Sequence, residues 1–193
     1  MLLLDIVPDD ADDRSTIAKS AIAKMAKTNP PPLMHKSFTK RITAGNIEDD
    51  LKKIKTFDWI IEAVVEKEDV KKDLYKKINK HRKKEAVVSS NTSTIPLAKL
   101  VDGMPQSFTQ HFMITHFFNP PRYMRLLEII SSDDTSPKAV KKITDFADMH
   151  MGKSIVHCND TPGFIANRIG TYWLHAAVTK AIKHDVGVEE ADA

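Results

Sequence analysis

His116 and Glu128 are the residues of this 193-residue chain whose types and spacing suggest catalysis. His116 ends one apolar run and Glu128 lies inside the next one, with an Asn-Pro-Pro turn between them. Two strand-like runs joined by such a turn can lie side by side, which would bring the imidazole and the carboxylate together. A carboxylate that faces an imidazole fixes its tautomer and stabilises the imidazolium that forms when the ring takes a proton. The stretch 110–130 therefore predicts a general base.

The alternative is an ordinary histidine. Most histidines are surface residues or satisfied core residues, so His116 alone is weak evidence. Glu128 strengthens the evidence for catalysis, because an acid between Leu127 and Ile129 is costly to bury without a partner. A dyad would supply that partner.

Composition excludes several classes of protein. The net charge of +3 comes from 29 basic and 26 acidic residues, and the basic excess lies mainly in 67–84, where it is typical of a solvated helix face and not of a nucleic-acid site. The single cysteine, Cys158, excludes an intramolecular disulfide and a cysteine-based zinc site, so we expect no metal and a reducing, cytoplasmic location. No apolar run reaches the roughly 18 residues of a membrane span, so we expect no membrane partner.

Hydrophobic periodicity predicts the elements that must position the dyad. Short apolar runs predict strands at 2–7, 59–65, 86–90 and 154–158, besides the two runs that carry His116 and Glu128. Amphipathic patterns predict helices at 12–27, with an acidic first turn, and at 67–83, 95–101, 136–149 and 164–184. On the helix at 67–83, Val70, Leu74 and Ile78 are the expected buried face.

The region 35–54 is harder to interpret. Phe38 and Ile42 suggest a short strand, Ala44-Gly45-Asn46 a turn, and residues 47–54 a helix.

Strands that alternate with helices predict an α/β fold, an incomplete Rossmann-like, doubly wound and mostly parallel sheet. Ligands of such sheets bind at the carboxyl ends of the strands, where we expect Asp5, Glu66, the polar group 89–93 and His116. The helix at 164–184 has a wide apolar face and little sheet left to cover. We therefore expect a first domain at 1–159, and at 160–193 the start of a second, all-α domain.

Several motifs together resemble the NAD-dependent 3-hydroxyacyl-CoA dehydrogenase family. They occur in order along the chain and read LLLD, DWIIEAVVE, SSNTST, THFFNPPRYMRLLEII, GKSIVHCNDTPGFIANR and VEEADA. The stretch NPPPLMHKSFTKRI is similar to bacterial members in which the dehydrogenase is joined to a hydratase-like domain. The resemblance implies NAD as cofactor, an acyl-CoA thioester as substrate, and a homo-oligomer or a multienzyme complex.

The resemblance also implies roles for single residues. His116 would be the base that takes the 3-hydroxyl proton while hydride leaves C3 for the nicotinamide, and Glu128 would orient it. Asn167 would help to position the substrate, Ser93 would contact substrate and cofactor, and Asp5 would bind the adenosine ribose hydroxyls. Further cofactor contacts would come from Glu66, Lys71, Asn91 and Asn119.

Each of these residues also has a plain structural explanation. Asp5 could cap a loop, Glu66 and Lys71 could be an ordinary charge pair, and Asn91 and Ser93 could cap a turn or a helix. Asn167 could lie on a solvated helix face.

One departure from the family is clear. Members begin with a strand and the fingerprint GxGxxG, whose amides hold the pyrophosphate, and no two of the six glycines of this sequence stand two apart. The sequence starts at what would be the second strand, so we expect a fragment of a dehydrogenase, with exposed sheet edges and little activity by itself.

The function implied for the parent protein is oxidation of (3S)-3-hydroxyacyl-CoA to 3-oxoacyl-CoA with NAD+, a step of fatty-acid beta-oxidation. The S configuration follows from the family alone. The alternative is a non-catalytic remnant, or a CoA-thioester-binding and assembly domain, because the phosphate-binding loop is absent from the sequence.

Overall fold

The structure, a computed structural model, describes residues 1–9 and 11–192, so Ala193, the last residue of the VEEADA motif, lies outside the described part. The strands are β1 (Leu2–Asp5), β2 (Thr43–Asn46), β3 (Trp59–Glu62), β4 (Val87–Ser90), β5 (Phe112–Phe117), β6 (Leu126–Ile130) and β7 (Ser154–Cys158). The α-helices are α1 (Thr16–Met25), α2 (Glu68–His81), α3 (Leu97–Val101), α4 (Gln106–Thr109), α5 (Pro137–Met151), α6 (Ala166–Lys183) and α7 (Val188–Ala191).

In the described residues the strands form two sheets. β1 and β2 pair in parallel, and the larger sheet has the order β3-β4-β5-β6-β7. Its neighbours are parallel except β5 and β6, which form an antiparallel hairpin. Helices α2 and α3 pack on one face of this sheet and α5 packs on the other. The predicted α/β class, doubly wound and mostly parallel, is confirmed.

The edges of β1 and β3 stay open where the structure describes the chain. β1 pairs with β2 alone and β3 pairs with β4 alone, so each strand has one edge without a ladder partner among these residues. The sequence analysis predicts exposed sheet edges, and these two strands have such edges in the described residues.

The predictions for the region after Pro32 are wrong. A 3₁₀ segment, Lys36–Arg41, replaces the predicted strand, and another, Leu51–Thr56, replaces the second half of the predicted helix. The predicted turn at 44–46 is strand β2. The side chains of Asp50 and Leu4 approach the backbone of Gly45 closely, and a Cβ at this position would lie 2.5 Å from the Asp50 carboxylate and 2.8 Å from the Leu4 side chain.

The expected buried face of α2 is also partly wrong. Val70 is 39% exposed, and the buried residues are Lys71, Tyr75 and Ile78. Helical periodicity ranks a valine above a lysine for the core. Lys71 can be buried because its ammonium group forms ion pairs with the carboxylates of Glu62 and Glu66.

Two boundaries differ in ways that matter for the site. β3 ends at Glu62 and not at Val65, so Glu66 lies in the loop between β3 and α2 and not at a strand end. α1 begins at Thr16, so its first turn has no acid, contrary to the expectation. The short helix α4 was not predicted.

The long helix expected after Pro162-Gly163 is α6. It has no buried residue, and its apolar side chains are largely exposed, for example Tyr172 at 75% and Trp173 at 66%. Apolar exposure on this scale is typical of a surface that another element covers. The boundary of a second domain near residue 160 stays a prediction.

Among the described residues, no helix combines the length and the apolar character that crossing a membrane requires.

Candidate active site

The β5–β6 hairpin brings His116 and Glu128 into contact. Their Cα atoms are register partners in the antiparallel ladder, so both side chains leave the same face of the sheet. The His116 Nδ1 to Glu128 Oε2 distance is 2.8 Å. Both residues are buried, His116 to 4% exposure and Glu128 to 0%. The proximity expected from the Asn-Pro-Pro turn is present.

Glu128 connects this hairpin to helix α6. Its second oxygen, Oε1, accepts hydrogen bonds from the backbone N–H groups of Ile165 at 3.1 Å and Ala166 at 2.8 Å. A buried carboxylate needs such donors, and the N-terminus of a helix favours negative charge. The turn before α6 aims these groups, with Gly163 at φ 75° and Phe164 at φ 49°. Glycine populates this left-handed region without strain.

The other ring nitrogen of His116 is the basic one. Because Nδ1 donates its proton to Glu128, Nε2 carries the lone pair, and the Ser93 hydroxyl donates to it over 3.1 Å. Two aromatic rings enclose the imidazole, Phe118 with a centroid distance of 4.6 Å and Phe164 with 5.5 Å. This arrangement can accept a proton from a hydroxyl that approaches Nε2 from the Ser93 side.

Ser93 lies in the loop that follows β4, and Glu66 fixes that loop. Oε1 of Glu66 accepts from the backbone N–H groups of Ser93 at 3.1 Å and Thr94 at 3.2 Å, from the Thr94 hydroxyl at 3.0 Å and from the Thr92 hydroxyl. Burial raises the pKa of Glu66, but the Thr92 hydrogen bond and the charge of Lys71 outweigh it and lower the pKa to about 2.

We expect Glu66 to contribute stability that acid removes. Its folded-state pKa of about 2 lies below the ordinary value of 4.5, so the contribution is present above pH 4.5 and is lost as the pH falls from there towards 2. The difference in Tm between wild type and Glu66→Gln should therefore shrink over this window, measured by circular dichroism. Glu68→Gln is the control for loss of one nearby carboxylate. A Tm difference that is constant down to pH 2 would contradict the expectation.

A buried polar network behind Glu66 was missed by the sequence analysis. Lys71 Nζ lies 2.8 Å from Glu62 Oε1 and 3.2 Å from Glu66 Oε2. The second oxygen of Glu62 accepts from the hydroxyls of Tyr75 at 2.6 Å and Ser90 at 2.8 Å. Burial and the Glu62 charge raise the pKa of Tyr75. The only signal in the sequence is an acid, Glu62, inside an apolar strand.

This network changes the interpretation of Lys71. The residue is 1% exposed, and its ammonium group contacts two carboxylates and the carbonyl oxygen of Val64. In the described structure the Lys71 ammonium group thus points towards the protein interior, and its contact with a cofactor stays a prediction.

The loop after β4 has two more attachments. The side-chain oxygen of Asn91 accepts from the backbone N–H of Phe117 at 3.0 Å, which ties the loop to the end of β5. Asp160, which the sequence analysis did not select, accepts from the backbone N–H groups of Leu97 at 2.8 Å and Ala98 at 3.0 Å and so caps α3.

Three predicted residues make no side-chain hydrogen bond to the dyad among the described residues. Asn167 is exposed in the first turn of α6, next to the amides that Glu128 binds, and Asn119 is exposed at the corner between β5 and β6. Asp5 ends β1 in the smaller sheet. Direct hydrogen bonds thus group Ser93, His116 and Glu128, and among the described residues these bonds do not include the other three.

Asp5 fits one part of a dinucleotide. Its Oδ1 accepts from the backbone N–H of Ile6 at 2.8 Å, while Oδ2 has no hydrogen-bond partner among the described residues. A carboxylate with a free oxygen at the carboxyl end of a parallel strand can accept from a ribose diol.

The chain is similar in sequence and in fold to one family of proteins. A family model described as "3-hydroxyacyl-CoA dehydrogenase, NAD binding domain" matches residues 2–161. A Deinococcus radiodurans protein, provisionally named 3-hydroxyacyl-CoA dehydrogenase, is 44% identical over 192 residues, which cover 100% of this chain and 56% of that protein. A Rickettsia felis protein, provisionally named fatty acid oxidation complex trifunctional enzyme, is 45% identical over 182 residues, which cover 94% of this chain and 25% of that protein.

A solved structure shows the same fold. The crystal structure of (S)-3-hydroxybutyryl-CoA dehydrogenase from Ralstonia eutropha superposes with a TM-score of 0.77 at 25% identity, covering 98% of this chain and 65% of that one. The chain spans 56% of the length of the Deinococcus relative and 25% of the Rickettsia relative.

Proposed function

We propose a function that starts from one fact: this chain belongs to the 3-hydroxyacyl-CoA dehydrogenase family. The matched part is the NAD-binding domain of that family, and NAD is the cofactor. The protein that carries the chain oxidises (3S)-3-hydroxyacyl-CoA to 3-oxoacyl-CoA with NAD+ in fatty-acid beta-oxidation. The observation that carries the proposal is the buried contact between His116 Nδ1 and Glu128 Oε2. It leaves Nε2 as a base beside Ser93, whose hydroxyl the substrate alcohol can replace.

The proton follows a defined route in this proposal. As the 3-hydroxyl oxygen forms a carbonyl with C3, its proton moves to Nε2 of His116, and Glu128 stabilises the imidazolium that results. Bound NAD+ supplies the acceptor for the hydride that leaves C3. The ring stays in place because Phe118 and Phe164 pack against it.

The remaining site residues take roles around this step. Ser93 and Asn167 position the acyl-CoA, the latter from the first turn of α6. Asp5 binds the adenosine ribose, and Glu66, Asn91 and Asn119 line the cofactor side. Lys71 acts on the cofactor side through Glu66, since its own ammonium is buried.

We further propose that the chain works within a larger assembly. The Rickettsia relative is named as part of a fatty acid oxidation complex, and α6 exposes apolar side chains that a homo-oligomer or a multienzyme complex would cover. Residues 1–159 act as the cofactor domain and 160–193 as the start of a helical domain. The cytoplasm is the proposed compartment.

The proposal is tested by NADH formation from (3S)- and (3R)-3-hydroxyacyl-CoA, with the protein that carries this chain. We expect oxidation of the S enantiomer alone. Absence of turnover, together with absence of NADH binding by fluorescence, would instead favour the non-catalytic alternative.

Asp5→Ala should weaken NADH binding by about tenfold or more, because a charge-assisted hydrogen bond to a hydroxyl contributes about 1.5–3 kcal/mol. NADH fluorescence titration measures the change in Kd. Asp9→Ala removes the same charge from the following loop and is the control. Equal Kd values for wild type and Asp5→Ala would remove Asp5 from the cofactor site.

A further inference from the structure

Glu62 occupies the centre of the polar network on one side of the site. It is 3% exposed, and its two carboxylate oxygens accept four hydrogen bonds. Oε1 accepts from the Val64 N–H at 2.7 Å and from Lys71 Nζ at 2.8 Å, and Oε2 accepts from the hydroxyls of Tyr75 and Ser90. The donors belong to α2, to β4 and to the loop after β3, so one side chain joins three elements.

We propose that Glu62 is a positioning residue for His116: it holds Lys71 and Ser90 so that the loop 92–94 keeps the Ser93 hydroxyl beside Nε2, where it positions the substrate alcohol. The proposal rests on the proposed function for its catalytic consequence. Its structural part, the coupling of Glu62 to the loop, can be measured without substrate.

The first route from Glu62 to the loop consists of two ion pairs that share Lys71. Lys71 Nζ lies between the carboxylates of Glu62 and Glu66, at 2.8 and 3.2 Å. Glu62 therefore fixes the position of the ammonium group, and that ammonium holds Glu66 in turn. Glu66 accepts both loop amides, of Ser93 and Thr94.

The second route runs through a serine. The Ser90 hydroxyl donates to Glu62 Oε2 at 2.8 Å and accepts from the Thr92 N–H at 3.2 Å. The main chain adds a third tie, since the Asn91 N–H donates to the Glu62 carbonyl oxygen at 2.8 Å. The first side-chain route thus ends at the amides of Ser93 and Thr94, and the second ends at the amide of Thr92.

A neighbouring polar cluster provides the matched comparison. Ser89 is as buried as Ser90 and lies in the same strand, but it binds Trp59 Nε1 at 2.9 Å and the Thr115 hydroxyl at 2.8 Å. In the described residues its side chain makes no hydrogen bond to the loop 92–94. Ser89→Ala therefore removes buried hydrogen bonds from β4 without cutting either route.

Amide hydrogen exchange of Ser93 and Thr94 tests the coupling. We expect Glu62→Gln to accelerate exchange at both amides by about tenfold or more, and Ser89→Ala to leave it unchanged. Adding Glu62→Gln to Glu66→Gln should accelerate exchange at the two amides less than Glu62→Gln does in the wild-type protein, because one of the two routes passes through Glu66. Tyr75→Phe removes one donor from Glu62 and gives a smaller acceleration, which keeps the test open if Glu62→Gln does not fold. Unchanged exchange in both Glu62→Gln and Tyr75→Phe, or equal acceleration by Ser89→Ala, would refute the coupling.

Kinetics test the positioning role. Glu62→Gln should lower kcat by about tenfold or more, the size of effect that a slightly misplaced catalytic group produces, with little change in KM for the acyl-CoA. In a Ser93→Ala background the same substitution should have little further effect on kcat. An equal loss in both backgrounds would show a general structural role and refute the proposal. A wild-type protein without dehydrogenase activity would contradict the proposed function, while the exchange experiment would still decide the coupling.

Discussion

His116→Gln is expected to lower kcat by about 10²- to 10⁴-fold, the range that a positioned general base contributes, and to leave NADH binding nearly intact. The reason lies in the orientation of the ring. Nδ1 is committed to Glu128 at 2.8 Å, so Nε2 is the nitrogen that can take the 3-hydroxyl proton. A glutamine fills similar space but has no nitrogen that can accept a proton at neutral pH.

Stopped-flow measurement of NADH formation gives kcat, and NADH fluorescence gives the binding constant. His111→Gln is the matched control, because His111 lies just before β5, at the other end of the strand that ends beside His116. Near wild-type turnover in His116→Gln, or a comparable loss in His111→Gln, would contradict the assignment of the base.

Glu128→Gln is expected to lower kcat by about 10²- to 10⁴-fold as well, with little change in substrate KM. The amide oxygen can still accept from the N–H groups of Ile165 and Ala166, so its NH₂ group then faces His116 Nδ1. That contact favours the tautomer with the proton on Nε2. The base nitrogen is then blocked although the ring stays in place.

Two further measurements separate this effect from unfolding. Amide exchange at Ile165 and Ala166 should remain protected in Glu128→Gln, and the nitrogen chemical shifts of the His116 ring should report the proton on Nε2. If kcat stays within a few-fold of wild type while the tautomer changes, Glu128 is not the orienting partner of the base.

The dyad could be predicted from the sequence because it is a local feature. His116 and Glu128 lie on two apolar runs joined by one corner, and an antiparallel hairpin makes them register partners. The α/β class was predictable for the same reason, since helical and strand periodicities alternate along the chain.

The support of the site could not be predicted, because it depends on contacts between distant elements. Glu62, Tyr75 and Ser90 meet across β3, α2 and β4, and no local pattern relates them. At Lys71, helical periodicity and ion pairing favour different buried residues. Amphipathic periodicity places Val70 in the core, but two carboxylates offset the desolvation cost of burying the lysine next to it.

The predictions for the region before β3 are wrong for a similar reason. The sequence pattern predicts a turn at Gly45, because glycine is common in turns. In the structure it lies in β2, where the Asp50 carboxylate and the Leu4 side chain leave no room for a Cβ. A close approach between segments is a property of the tertiary structure, so the sequence pattern does not distinguish it from a turn.

The most direct measurement is a crystal structure of the protein with NAD and a 3-oxoacyl-CoA bound, in which the distance from the substrate 3-oxygen to His116 Nε2 is read. We expect about 2.6–3.2 Å, the range for proton transfer, with the Ser93 hydroxyl beside the same oxygen. A 3-oxygen that binds out of hydrogen-bonding reach of Nε2, with no water between them, would contradict His116 as the base.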